Sequence, residues 1–309
     1  MVTLVVDTRL MAYLRFHRGQ PIPPLTYDVA SLYYRTALGA GLPVPTKVVW
    51  AMDNGKSRRA EKFSEYKAHR KERDKQKGPE YEERLREFNT TYKNLEDYLS
   101  CFGSVVSLPG VEADDVASVI SKSSLADGSN TVVLLSSDSD WVKFLSPTKN
   151  VYILSPSKNA LISYKDAKKV FGYSPEEKVI MDSLVGVSKE NVKGLFRFGP
   201  KTFMRILEEV GGNLEAVVEE VSKIYNGSDK IPEPFSSVEE MYEFNYELFR
   251  QWTIKDLTEP EQETLKEALG AAANTRCPSD VRLEKSFELF GQLYTAYSAE
   301  EQKIFKISA

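Results

Sequence analysis

The residues of this chain best suited to chemistry are acidic and follow short apolar runs. Asp7 follows Leu4–Val6, Asp53 follows Val48–Met52, Glu112, Asp114 and Asp115 follow the Val105–Gly110 segment, and Asp138 and Asp140 follow Val132–Ser137. In an open α/β sheet, ligands bind beyond the carboxyl ends of the strands. Parallel neighbouring strands would therefore bring these seven carboxylates to one edge. Seven like charges at close quarters repel unless a counter-charge is supplied. The chain has only two histidines, and Cys101 and Cys277 lack Cys-x-x-Cys spacing, so oxygen donors dominate. Such donors point to Mg²⁺ or Mn²⁺ rather than zinc. Two such ions about 4 Å apart would polarise a phosphodiester, generate the attacking hydroxide and stabilise the leaving oxygen. Taken singly, each acidic group is also what a helix N-terminus favours. The same placement after four successive strands favours the metal reading.

The elements that must position these groups are legible from pattern. β-Branched runs at Leu4–Val6, Lys47–Ala51, Ser104–Ser107, Thr131–Leu135 and Val151–Leu154 are separated by helix-length segments. This is the pattern of a parallel α/β sheet flanked by helices. Residues 56–99 are charged and aromatic with few core-type positions, which predicts a helical arch projecting from the sheet, divided at Gly78-Pro79. Its first part carries Lys56, Arg58, Arg59, Lys62, Lys67, Arg70, Lys71, Arg73, Lys75 and Lys77 against Glu61, Glu65, Glu72 and Asp74. By itself, such a run reads as a solvated charged helix.

After Gly172 the β-branched runs stop. Ser174-Pro175-Glu176-Glu177 caps a helix to about Val185, a second runs from Gly199-Pro200 to Gly211-Gly212, and Asn226–Pro234 is a loop. Ser237-x-x-Glu240 and Thr258-x-x-Glu261 open further helices. Three units are expected: an α/β core over 1–172 that includes the arch, a helical region over 173–235, and C-terminal helices over 236–309 packing back on the sheet.

The 309 residues are 41% hydrophobic and 28% charged with a net charge of −4, ordinary for a soluble globular chain. Val2–Val6 has no basic lead-in and is broken by Asp7, so neither a signal peptide nor a membrane span is read there. A cytoplasmic monomer without membrane partners is expected. The Gly-x-x-x-x-Gly-Lys-Ser/Thr loop of an ATP-driven enzyme is missing.

Gly110-Val111-Glu112-Ala113-Asp114-Asp115, Ser137-Asp138-Ser139-Asp140 and Glu65-Tyr66-Lys67-Ala68-His69-Arg70 carry a resemblance. Over almost its whole length the chain resembles bacteriophage 5′-3′ exonucleases and the 5′-nuclease domain of bacterial DNA polymerase I, relatives of flap endonucleases. The resemblance implies a PIN-like core and two-metal hydrolysis of DNA near single-strand/duplex junctions. It implies that Asp7, Asp53, Glu112 and Asp114 hold a first Mg²⁺ or Mn²⁺, with Asp115, Asp138, Asp140 and Glu190 contributing to a second. Lys67 and Arg70 match arch residues that reach the scissile phosphate, Arg59 matches another basic arch position, and Tyr66 matches an aromatic that stacks on a terminal base.

Leu184-Val185-Gly186, Asn191-Val192-Lys193-Gly194 and Gly199-Pro200-Lys201-Thr202 resemble the family's helix-hairpin-helix element. The resemblance implies that Gly199, Lys201 and Thr202 meet duplex phosphates, with K⁺ a further candidate ligand. Two departures stand out. The usual Gly-Asp-x-x-Asp reads Gly186-Val187-Ser188-Lys189-Glu190, which removes one second-site carboxylate and lengthens another, with Asp182 a candidate substitute. The usual Gly-x-Gly reads Arg197-Phe198-Gly199, which bears on the K⁺ site. The implied partners are branched or 5′-ended DNA and RNA primers in hybrid. A free-standing nuclease without a polymerase domain is expected. The alternatives are a structure-selective DNA-binding protein weakened at Val187, and a ribonuclease on the same core.

Overall fold

A computed structural model describes residues 1–22 and 25–270. Cys277 and the part of the expected C-terminal unit beyond residue 270 lie outside the described residues. The α/β half begins with β1 (Val2–Asp7), α1 (Thr8–His17), α2 (Leu25–Leu32), which continues as a π-helical stretch to Leu38, and β2 (Lys47–Asn54). The arch region and its return hold α3 (Arg59–Lys62), α4 (His69–Lys75), α5 (Pro79–Lys93) and α6 (Leu95–Ser100). Then follow β3 (Ser104–Pro109), α7 (Ala113–Lys122), β4 (Thr131–Leu135), β5 (Val151–Ser155), β6 (Ala160–Ile162) and α8 (Tyr164–Phe171). The helical half has α9 (Pro175–Val185), the two-residue strands β7 (Gly186–Val187) and β8 (Val192–Lys193), α10 (Pro200–Glu209), α11 (Leu214–Tyr225), α12 (Val238–Phe249) and α13 (Glu259–Gly270).

The sheet order is β3-β2-β1-β4-β5-β6, with the first five strands parallel and β6 antiparallel to β5. Its inner strands are apolar on both faces because helices cover both. Leu4, Val6, Trp50 and Met52 face α1, α2, α5 and α6, while Val5, Val49 and Ala51 face α7 and Trp141. A third apolar cluster, with Leu184, Phe203, Ile206, Val217 and Met241, holds α9 to α12 together.

Two boundaries differ from the sequence reading. Phe88, Tyr92, Leu95, Tyr98 and Leu99 are buried in the main core, so α5 from its middle onward and α6 belong to the sheet's cover and not to the arch. Their apolar residues recur at helical spacing within a charged sequence, which masked them. α12 packs with α9, whereas α13 lies against β3 and β2, with Ser104 Oγ donating to the Ala268 carbonyl at 2.8 Å. Of the C-terminal helices described, only α13 returns to the sheet.

Candidate metal and nucleic-acid site

Strand order reverses between β1 and β4, the place where an open parallel sheet leaves a crevice. Asp7 ends β1 there and caps α1, its Oδ1 accepting from the Leu10 N–H at 2.9 Å and its Oδ2 from Ser136 Oγ at 2.9 Å. Asp53 near the end of β2 accepts from the Ala113 N–H at 2.9 Å, and Arg9 Nε stands 3.8 Å away. Glu112 is the N-cap of α7, and Asp114 lies in its first turn. Trp141 Nε1 donates to Asp114 Oδ1 at 2.6 Å. Asp138 caps a 3-10 turn, accepting from the Asp140 N–H at 3.0 Å. Asp7, Asp53, Glu112, Asp114, Asp138 and Glu190 line one cavity of about 520 Å³, whose rim carries Arg9, Lys67 and Arg70.

The donors that hold Asp7 and Asp114 are neutral, and their electrostatics follow from that. Burial is the main force pushing the Asp7 carboxyl up to about 7; Asp53 and Asp138 add repulsion, and the Leu10 and Ser136 donors offset only part. Burial also raises Asp114 well above the carboxylate range, helped by Asp138, Asp7 and Glu112 and only partly opposed by the Lys143 ammonium. Among the described residues, no group of three or more histidine, cysteine or carboxylate side chains stands close enough together to hold a metal ion as placed. The donor chemistry nevertheless fits a hard divalent cation: carboxylates converging on one cavity, all oxygen, with Asp7 and Asp114 hydrogen-bonded by neutral donors.

The remaining acidic candidates are compensated by the chain itself. Asp115 is 1% exposed and Arg59 6%. Arg59 Nη2 meets Asp115 Oδ1 at 2.5 Å, Nη1 meets Asp115 Oδ2 and Glu112 Oε2 at 2.8 Å each, and Nε donates to the Leu248 carbonyl at 2.8 Å. This corrects two expectations. Arg59 is sealed between α7 and α12 and does not face solvent, and Asp115 is a bidentate structural partner turned away from the cavity. Tyr66 is likewise 8% exposed, packed with Ala60, Leu248 and Phe249, so its ring is not presented for base stacking. Its hydroxyl donates to Glu112 at 3.3 Å.

Lys67 has φ 57°, a left-handed conformation uncommon for its type, and its N–H donates to the Glu190 carbonyl at 2.9 Å. Its ammonium meets Glu112 and lies 3.4 Å from Glu190 Oε2, while Arg70 meets Glu190 Oε1 at 3.0 Å. Burial opposes ionisation of Glu112, but Lys67 and Arg59 hold its carboxyl down at about 2. Lys189 Nζ lies 2.8 Å from both Asp138 and Asp140, and Lys178 Nζ 3.1 Å from Asp140 and 2.5 Å from Asp182. Burial disfavours the Asp140 charge, yet these lysines hold its carboxyl well below the usual range.

Gly199, Lys201 and Thr202 sit together at the N-terminus of α10, and none lines the carboxylate cavity. The hairpin that leads there crosses itself at Gly186 and Gly194, where a Cβ on Gly194 would stand 2.1 Å from the Val185 carbonyl carbon. Only glycine permits that approach. Sequence reasoning missed Arg9, Trp141, Lys178 and Lys189. The visible signal for Lys178 was its i,i+4 spacing to Asp182 inside an apolar helix; for the others there was none.

Residues 3–172 match the family described as 5′-3′ exonuclease, N-terminal resolvase-like domain. The chain is 30% identical to the thermostable DNA polymerase I of Thermus filiformis over 229 residues, 72% of this chain and 25% of that protein. It is 26% identical to flap endonuclease Xni of Serratia proteamaculans over 148 residues, 48% of this chain and 55% of that one. The chain thus spans 16% to 26% of the length of the polymerase relatives it matches. The solved structure of the bacteriophage T5 flap endonuclease in a pseudo-enzyme-product complex with DNA and metal ions aligns with TM-score 0.64 at 20% identity, covering 94% of this chain and 98% of that one. That likeness shows the fold. Among the described residues, no helix is long and apolar enough to cross a membrane.

Proposed function

Because this chain belongs to the 5′-3′ exonuclease family, carrying its N-terminal resolvase-like domain at residues 3–172, we propose that it is a divalent-metal-dependent 5′-nuclease that hydrolyses DNA near single-strand/duplex junctions. One observation carries the reading: the buried Asp7 and half-buried Asp114 are carboxylates raised in pKa and hydrogen-bonded by neutral donors, at the sheet's switch point beneath Lys67 and Arg70. Asp7, Asp53, Glu112, Asp114 and Asp138 would hold Mg²⁺ or Mn²⁺. Held there, such an ion would supply positive charge to the phosphodiester and lower the pKa of the attacking water.

The protein's own contribution is orientation and charge. Trp141 and Ser136 fix the rotamers of Asp114 and Asp7. Lys67 and Arg70 are parked on Glu112 and Glu190 at the cavity rim, from which a phosphate entering the cleft can draw them. The N-terminus of α10, with Lys201 and Thr202, offers backbone N–H groups to duplex phosphates without reading bases. Flap endonuclease Xni and the T5 enzyme carry this activity in their names, which supports the substrate class.

The test is gel-resolved cleavage of a 5′-flap duplex, labelled at either end, in EDTA, then Mg²⁺, then Mn²⁺. Cutting near the junction only with metal is the expected result. Tight, salt-dependent binding without cutting in either metal would instead make the chain a structure-selective DNA-binding protein.

A further inference from the structure

Asp140 and Asp182 form a second acidic group beside the first, sharing Asp138 with it, and lysines already meet its charge. Lys189 bridges Asp138 and Asp140 with 2.8 Å contacts to each, and Lys178 bridges Asp140 and Asp182 at 3.1 and 2.5 Å. Charge-assisted contacts of this length, shared between two carboxylates each, are what a cation between the same oxygens would otherwise supply. Val187, where a second-site carboxylate is expected, contributes no side-chain oxygen. The residues present therefore do not fit a second divalent ion.

The two lysines are not equally mobile. The Lys189 side chain is 42% exposed and can turn away from its carboxylates. Lys178 is 7% exposed, one helical turn from Asp182 on α9, with its ammonium 5.5 Å from the Tyr173 ring centre. Displacing it would leave a buried ammonium unpaired, which is strongly unfavourable. A second Mg²⁺ would need about six oxygens in near-octahedral order. It would have to evict both lysines from carboxylates whose charge they neutralise, Asp140 Oδ1 being left with the Lys178 ion pair at 3.1 Å and no hydrogen bond.

We propose that this protein binds one divalent ion per chain, at the Asp7/Asp114 cluster, and that Lys178 and Lys189 occupy the second cation position as built-in counter-charges. Lys178 and Lys189 are thus positioning residues for the acidic edge. The proposal rests on the nuclease reading only in taking the first cluster as a metal site.

The experiment is Mn²⁺ titration of the full chain without DNA, with free Mn²⁺ followed by electron paramagnetic resonance and binding heat by calorimetry. The wild-type protein is expected to bind one Mn²⁺. Lys189→Ser, which removes an exposed side chain, should gain a weak second ion, and Lys178→Met/Lys189→Ser a stronger one. Thermal melts in EDTA check that each variant folds, and the Lys189→Ser arm keeps the test alive if the double variant does not. Two ions in the wild type, or one in every folded variant, would overturn the proposal. No ion in the wild type would remove the metal reading of the first cluster and the proposal with it. Asp114→Asn, expected to lose the single ion, tells these outcomes apart.

Discussion

Two groups of carboxylates lie side by side in this protein and have opposite electrostatics. Asp7 and Asp114 are held by neutral donors and are pushed up by burial, whereas Asp140 has two lysines around it and is held down. Asp115 resembles Asp140, because Arg59 neutralises it. Residue type is the same throughout. What differs is whether the fold brings a cation to the carboxylate or leaves that place for one from solution. Carboxylates of the first kind can act as ligands; those of the second kind stabilise the fold.

The contrast predicts effects that decrease in size. Arg59→Ala should be the most damaging substitution, because it strands the buried Asp115. Breaking such a pair costs about 3–5 kcal/mol, measurable by denaturant unfolding. A loss near zero would mean that Arg59 and Asp115 carry no net weight in the fold.

Asp7 gives the next effect. Its folded pKa of about 7 lies above the ordinary 3.8, so its contribution to stability is complete below about pH 4 and is lost as pH rises through about 7. In EDTA the protein should weaken over that window by up to about 4 kcal/mol from this residue. Millimolar Mg²⁺ should flatten the slope by stabilising the ionised form. Melting curves from pH 4 to 8.5, with and without Mg²⁺, decide it, and a metal-independent slope would contradict the assignment of Asp7.

A paired substitution sharpens the comparison. Asp114→Asn relieves repulsion, so it should raise the melting temperature in EDTA at pH 8 while reducing flap cleavage at least about a hundredfold, more than loss of an outer-shell partner costs. Asp140→Asn should lower the melting temperature in EDTA, because it deprives Lys178 and Lys189 of their shared partner. Shifts of the same sign in both variants would erase the distinction. The smallest effect expected is that of Trp141→Phe, which frees the Asp114 rotamer and should weaken Mn²⁺ binding about 10- to 100-fold. An unchanged Mn²⁺ affinity would show that Asp114 needs no orienting partner.

Much of this arrangement was readable in advance. The five parallel strands fall where β-branched runs predicted them, and helices α9, α10 and α12 begin at the Ser or Gly caps the pattern marked. Asp7, Asp53, Asp114 and Asp138 meet in one cavity, as expected from acidic residues placed after successive parallel strands. Tyr66 and Arg59 were misplaced for a common reason. Both lie in a charged run that reads as solvated, yet the end of α12 and the turn after it, nearly two hundred residues later, cover them with Leu248, Phe249 and Trp252. Nothing within the run announces that cover.

The sequence alone determined the main-chain positions of the acidic groups, because strand register and helix caps depend on neighbours a few residues away. It also determined that the chain belongs with 5′-nucleases, since those positions carry recognisable motifs. Only the tertiary structure decided which carboxylates stay uncompensated. Lys178 on α9 reaches Asp140 after β4, and Arg59 beside the arch reaches Asp115 on α7, through packing between segments far apart in the chain. Coulomb energy depends on distances of a few ångströms and on burial, and neither is set by local pattern.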